Sequence, residues 1–215
     1  MKHAPLYSAA AVLVAALFAS STPRAQADTF LFGFSGSGVN ATGDLTYGTA
    51  TDAKYGQALE VTGASGTFSD SKIGISNATI TGVQAINHAT PDPTNKRAPA
   101  DFSRFLVAKG TAHGSVSYDN LLWLSGSPQT ATSYPFHGGF VDIYGLLFDL
   151  GNGEVVNFWS NGVLPFSNFV DYGTSVANSN TALDYIGGGI TPTPEPGTLY
   201  LLGTGLIAVL VLRRV

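Results

Sequence analysis

Four carboxylates, Asp119, Asp142, Asp149 and Glu154, sit in or beside stretches with strand character. Two carboxyls facing each other across a cleft are the working parts of a glycoside hydrolase, one as proton donor and the other as base or nucleophile. The same acids, with Asn152 and backbone carbonyls, could hold Ca²⁺, but no EF-hand or repeat loop frames them. Spacing along a chain says nothing about separation in space, so strand-end and turn carboxylates that hold loops or face water are the plainer account. His88, His113 and His137 are far apart and lack metal-ligand spacing, and no Gly-x-Ser-x-Gly elbow is present. Gly36 to Ala41 fits the dinucleotide pattern G-x-G-x-x-A, with Glu60 at a suitable distance. That pattern works only at the start of a helix, and Asn40-Ala41-Thr42-Gly43-Asp44 is a poor one, which predicts a Gly-rich β turn instead. The residues therefore assign no catalytic group, no metal ligand and no cofactor. Trp123, Tyr134, Phe136, Tyr144, Trp159 and Tyr172 could form a sugar-stacking platform. Trp123 and Trp159 lie in the most apolar stretches, which predicts that they fill the core.

The elements that must position these residues are strands. Phe30, Phe32 and Phe34 alternate, as do Leu59 and Val61, and Ile73 and Ile75. Residues 78–83 are β-branched and bounded by Asn and Gly, and residues 115–124 and 139–150 read as further strands. Gly151-Asn152-Gly153 marks a tight turn, from which residues 154–159 return as a hairpin whose apolar density predicts burial on both faces. Residues 88–104, with three prolines and the basic Lys96, Arg97 and Arg104, read as a long surface loop. Short strands separated by Gly, Asn, Asp and Ser predict an all-β fold, an antiparallel β-sandwich or jelly-roll-like domain.

Charge and composition narrow the function. Only 11% of the 215 residues are charged, against about 25% in an average soluble protein. Between residues 28 and 193 there are 13 acidic and 6 basic residues, a net of −7, which argues against a nucleic-acid partner. There is no cysteine, so disulfides, thiol nucleophiles and a lipid-modified N-terminal Cys are excluded.

The two ends read as addresses. Lys2, an apolar run from Leu6 to Phe18, and the small residues Ala25 and Ala27 around Gln26 form a secretory signal peptide over residues 1–27, for signal peptidase. A secreted β-rich domain is expected over residues 28–190. Residues 191–197 form a Pro-rich spacer containing Pro194, Glu195 and Pro196. Residues 198–215 end in Arg213 and Arg214 after 15 residues without charge. A helix there is a short transmembrane anchor, and by the positive-inside rule its Arg pair stays cytoplasmic as a membrane stop.

Pro194-Glu195-Pro196, a short Gly/Leu-rich helix and a terminal Arg cluster, in that order, resemble the PEP-CTERM sorting domain over about residues 193–215. The resemblance implies recognition and removal of the tail by exosortase, a transient stay in the inner membrane, and delivery to the cell surface or extracellular matrix. It also implies a setting of exopolysaccharide and biofilm. Residues 32–81 are similar, more weakly, to passengers of such tails through Gly36 to Val39, Gly43 to Thr46, Val61 to Asp70 and Ile80 to Gly82, and this carries no activity. The expected function is a non-catalytic structural or polysaccharide-associated surface component, with exopolysaccharide as candidate partner. The alternative is a secreted polysaccharide-acting hydrolase using paired carboxylates.

Overall fold

The computed structural model describes residues 28–48, 57–86, 102–107, 114–128, 137–165 and 169–192. The predicted signal peptide with Ala25 and Ala27, the sorting residues Pro194, Glu195 and Pro196, and Arg213 and Arg214 lie outside the described residues. Eleven strands follow in order: β1 (Asp28–Gly36), β2 (Val39–Tyr47), β3 (Leu59–Asp70), β4 (Ile75–Val83), β5 (Ser103–Leu106), β6 (Ser115–Tyr118), β7 (Leu121–Leu122), β8 (Leu146–Leu150), β9 (Val155–Val163), β10 (Val170–Ala177) and β11 (Ala182–Pro192). No helix occurs among the described residues.

The all-β expectation holds, but the architecture is one closed sheet and not the two-sheet sandwich or jelly roll expected. Eight antiparallel strands run β1-β2-β3-β4-β8-β9-β10-β11, and β11 returns to pair with β1. The closing register is Phe34↔Pro192 and Ser35↔Thr191. Thr191 and Pro192, assigned above to the spacer, are thus the end of β11. Pro192 is tolerated there because a strand terminus need not donate an amide proton.

Alternation explains the inside of the barrel. In β2, Val39, Ala41 and Leu45 are buried while Asn40, Thr42 and Asp44 are exposed. Apolar in and polar out is the inverse of a lipid-facing barrel. Phe158 is the hub of the core. Its ring stacks on Phe34 at 4.7 Å and 16° and meets Phe68 at 6.1 Å and 80°, with Phe148 at 5.8 Å. Phe32 and Tyr172 extend the cluster. Each buried ring contributes on the order of 1.5–3 kcal/mol. An eight-stranded barrel is just wide enough for such side chains to fill it, and these rings occupy its interior.

Local chemistry shapes the ends. The G-x-G-x-x-A stretch is the β1–β2 hairpin, with φ of 53° at Ser37 and 88° at Gly38 and register Gly36↔Val39, as predicted for a turn. Gly43 and Gly66 face each other across β2 and β3, and a Cβ on either would lie within about 2 Å of the opposite backbone oxygen. The barrel wall can bend this closely only with glycine at both positions. The Gly151-Asn152-Gly153 hairpin is confirmed by the register Leu146↔Phe158 to Asp149↔Val155.

Several strand expectations contract. Ile73 lies in a turn, and the stretch 139–150 is strand only from Leu146. Its first half turns because Asp142 Oδ1 accepts the amides of Tyr144 (2.8 Å) and Gly145 (3.3 Å). Arg104, expected in a loop, lies in β5. The stretch 115–124 breaks at Asn120, whose φ is 53°.

The β5–β6 hairpin and β7 are inserted between β4 and β8. Val107, Val116 and Tyr118 pack on Leu147, Val155 and Ala177, forming a second small core on the outside of the barrel. This explains the predicted two-sided burial of β8 and β9. Asn120 pins the insertion. Its Nδ2 donates to the Gln84 carbonyl (2.7 Å), its Oδ1 accepts the Leu147 amide (3.0 Å), and its own carbonyl accepts the Val61 amide (2.8 Å).

Candidate functional site

The structure brings two of the four candidate carboxylates together. Asp119 and Asp142 are 2% and 1% exposed, and Asp119 is close enough to act on the Asp142 carboxyl. Burial pushes Asp142 up to about 6, against the lowering effect of its backbone donors and of Asp119. Asp119 Oδ1 also accepts the Leu121 amide at 3.1 Å. Both carboxyls thus shape loops at the root of the insertion.

The other two stand elsewhere. The Ser160 amide bonds the Asp142 carbonyl, which places Asp142 beside the far half of β9. Glu154 precedes β9 at its opposite end, six residues away and about 20 Å at ~3.3 Å per residue. An inverting pair spans only about 6.5–9.5 Å. Glu154 belongs to the hairpin turn, where its Oε2 accepts Asn152 Nδ2 at 2.7 Å and its amide donates to Asn152 Oδ1. Asp149 is partly buried in β8, and that burial raises its pKa. Among the described residues, no three His, Asp or Glu side chains converge as metal ligands. His137 is exposed, while His88, His113, Tyr134 and Phe136 lie outside the described residues.

The aromatic candidates separate by face. Tyr172 points into the barrel, where its hydroxyl accepts the Phe140 amide at 2.9 Å. Trp123 packs with Ala58 and Leu121, and Tyr144 packs on Phe102. Trp159 is well buried, as expected, but it is not in the main core. With Phe158 inward, the outward positions of β9 are Asn157, Trp159 and Asn161. Trp159 pairs with Gly173 in β10, and the Cζ2 and Cη2 atoms of its indole stand over that glycine. The same ring stacks on Tyr185 of β11 at 5.6 Å and 16°. A side chain at position 173 would occupy the space of the indole, so glycine there is what lets the ring reach across to the next strand.

This outer face forms a groove of about 230 Å³ beside the insertion. Trp159 and Tyr185 line one part, with Asn157, Asn161 and Ser175 along the strands. Ser115, Val116 and Ser117 of β6, with Ile143, complete it. No lining side chain is charged at neutral pH. Burial, and to a lesser degree the negative Asp171, raise the Tyr185 hydroxyl further from ionisation. The polar groups are held in place. Asn157 Nδ2 donates to the Tyr144 carbonyl (2.9 Å), and Asn161 Nδ2 to Asp171 Oδ2 (2.6 Å). Asn161 is the extra residue of β9 at the register shift between Asp171 and Tyr172. Tyr185 and the two amides were not singled out from sequence. The period-two spacing of Asn157, Trp159 and Asn161 is the signal that could have found the amides. Nothing local marks Tyr185, whose partner is 26 positions away.

No curated protein and no solved structure matches the chain. A family model described as PEP-CTERM protein-sorting motif matches residues 192–215. The match begins on Pro192, the residue that closes the barrel against Phe34. The chain therefore carries, from the last residue of the strand that closes its barrel, a PEP-CTERM protein-sorting motif, the mark of an extracellular protein sorted by exosortase.

Proposed function

We propose that this protein is a non-catalytic structural or polysaccharide-associated component of the cell surface or extracellular matrix. In this reading it is exported by the signal peptide over residues 1–27 and held transiently in the inner membrane by residues 198–215. The observation that carries the reading is the sorting motif at residues 192–215. The body it would deliver fits a structural role. Its barrel core is packed with aromatic rings, and its candidate carboxylates Asp119 and Asp142 are enclosed, each with one oxygen accepting loop amides. A hydrolase using paired carboxylates would want two acids open to a sugar chain.

The test replaces Pro194, Glu195 and Pro196 together with alanine in the native host and follows the protein by fractionation. The wild type is expected at the surface or in the medium, and the variant is expected to accumulate in the membrane fraction. Equal surface delivery of both proteins would refute the sorting role of these three residues.

A further inference from the structure

We propose that the outer groove between β6 and β9–β11 binds an uncharged stretch of polysaccharide, with Tyr185 as the stacking face and Asn157 and Asn161 as hydrogen-bonding groups. This deepens the polysaccharide-associated reading above and rests on it. Three observations carry it.

The first is the aromatic pair. Tyr185 is 45% exposed, although it is a large ring on a regular strand. Its other side is backed by Trp159, which in turn lies on Gly173. An open aromatic face held rigid by a second ring loses little freedom on binding. It matches the flat C–H face of a pyranose, which is apolar while its edge is polar.

The second is the lining. Amide and hydroxyl groups stand around the rings, the serine hydroxyls able to donate and accept as sugar hydroxyls do, while Asn157, whose Nδ2 donates to the Tyr144 and Leu146 carbonyls, offers its Oδ1 as an acceptor. The amides are pre-set by their bonds to the Tyr144 carbonyl and to Asp171.

The third is charge. Among the described residues no charged side chain lines the groove; the nearest charges placed by the strands are the Asp171 carboxylate at its Asn161 end and Arg104, which pairs with the lining Ser117 across the β5–β6 hairpin. A lining without charge gives an acidic saccharide no direct ion pair within the groove and leaves Asp171 to repel it at one end, which favours neutral sugars. At about 230 Å³ the groove falls below the ~300–1,000 Å³ of sites that enclose drug-sized ligands. It would grip a short stretch of a longer chain, and many copies along one polymer would supply avidity.

The chain has two tryptophans, so Trp123→Phe leaves Trp159 as the sole indole reporter. Protein with this background, recovered from cells, is titrated with hydroxyethylcellulose and dextran as neutral probes and alginate as the acidic one. The expected result is an emission change with at least one neutral polymer and none with alginate. Tyr185→Ala should weaken the response about three- to tenfold, the worth of one aromatic contact. Ser117→Arg, on the β6 side, should abolish it by filling the groove, and thermal melts check that both variants are folded. An alginate response equal to the neutral one, or neutral binding untouched by both variants, overturns the proposal. So does silence with both neutral polymers. Retention of the variants in neutral-polysaccharide gels as strong as wild type would place binding elsewhere on the protein and leave the surface reading standing. Loss of that reading would instead appear as failed sorting in the fractionation above.

Discussion

Gly173→Ala is expected to destabilise the protein, against the usual sign for a glycine in regular structure. The backbone at Gly173 does not take a positive φ, so alanine meets no Ramachandran barrier there. On conformational entropy alone the change would stabilise by about 0.4–1 kcal/mol. Space reverses the sign. A Cβ would stand 2.2 and 2.5 Å from Trp159 Cζ2 and Cη2, and 2.5 Å from the Ile186 carbonyl oxygen. The indole can rotate away, but the carbonyl belongs to the neighbouring strand and moves only if β10 and β11 part. Overpacking of this kind costs about 1–3 kcal/mol, and losing the Trp159–Tyr185 stack adds about 0.5–1.5 kcal/mol. Subtracting the entropic gain leaves roughly 1–4 kcal/mol, or a fall of about 2–16 °C in Tm at ~2–4 °C per kcal/mol. Calorimetry or a circular-dichroism melt reads the shift, and Trp159 emission in the Trp123→Phe background reads the displaced ring. In a Trp159→Leu background the same substitution should cost less, because only the carbonyl contact remains. A Gly173→Ala protein as stable as wild type, with unchanged emission, would refute the packing described for this face.

Two further perturbations test the insertion. Asn120→Ala removes both side-chain bonds to the Gln84 carbonyl and the Leu147 amide and places alanine at positive φ, so a loss of about 2–4 kcal/mol in urea unfolding is expected. A loss under 1 kcal/mol would mean that the insertion does not depend on this residue. The pKa of Asp142, pushed by burial from 3.8 to about 6, sets a pH window. Between those values the folded protein holds a proton that the unfolded chain releases, so stability is greatest below about pH 4 for this group and declines as pH rises through 6. Asp142→Asn, which stays neutral, should flatten this part of a Tm profile between pH 4 and 7.5. An identical profile in both proteins would assign the pH dependence to other groups, such as Asp70, which burial also raises.

Much of the barrel was readable strand by strand. Phe32 and Phe34 sit in the core because their spacing of two matches the pleat, and the 151–153 turn is where Gly and Asn placed it. Closure was not readable, because a sandwich and a barrel share the same alternation. What separates them is the pairing of Phe34 with Pro192, set by how far the whole sheet coils. The break at Asn120 was hidden inside an apolar run, since an asparagine at positive φ looks local while its partners are 27 and 36 positions away. The groove was half visible. Trp159 was assigned to the core because its neighbours are apolar, and it is buried, but under Tyr185 on the outer face and over a glycine two strands of sheet can share. The sorting tail was the most legible part, since its signal is linear and needs no tertiary contact.

Export and tail-directed sorting are tested most directly by mass spectrometry of the protein recovered from the native cell surface and medium. The account predicts a mature chain beginning at Asp28, with no peptide containing Lys2 and none containing Arg213 or Arg214. A surface form that keeps both the Lys2 and the Arg214 peptides would contradict it.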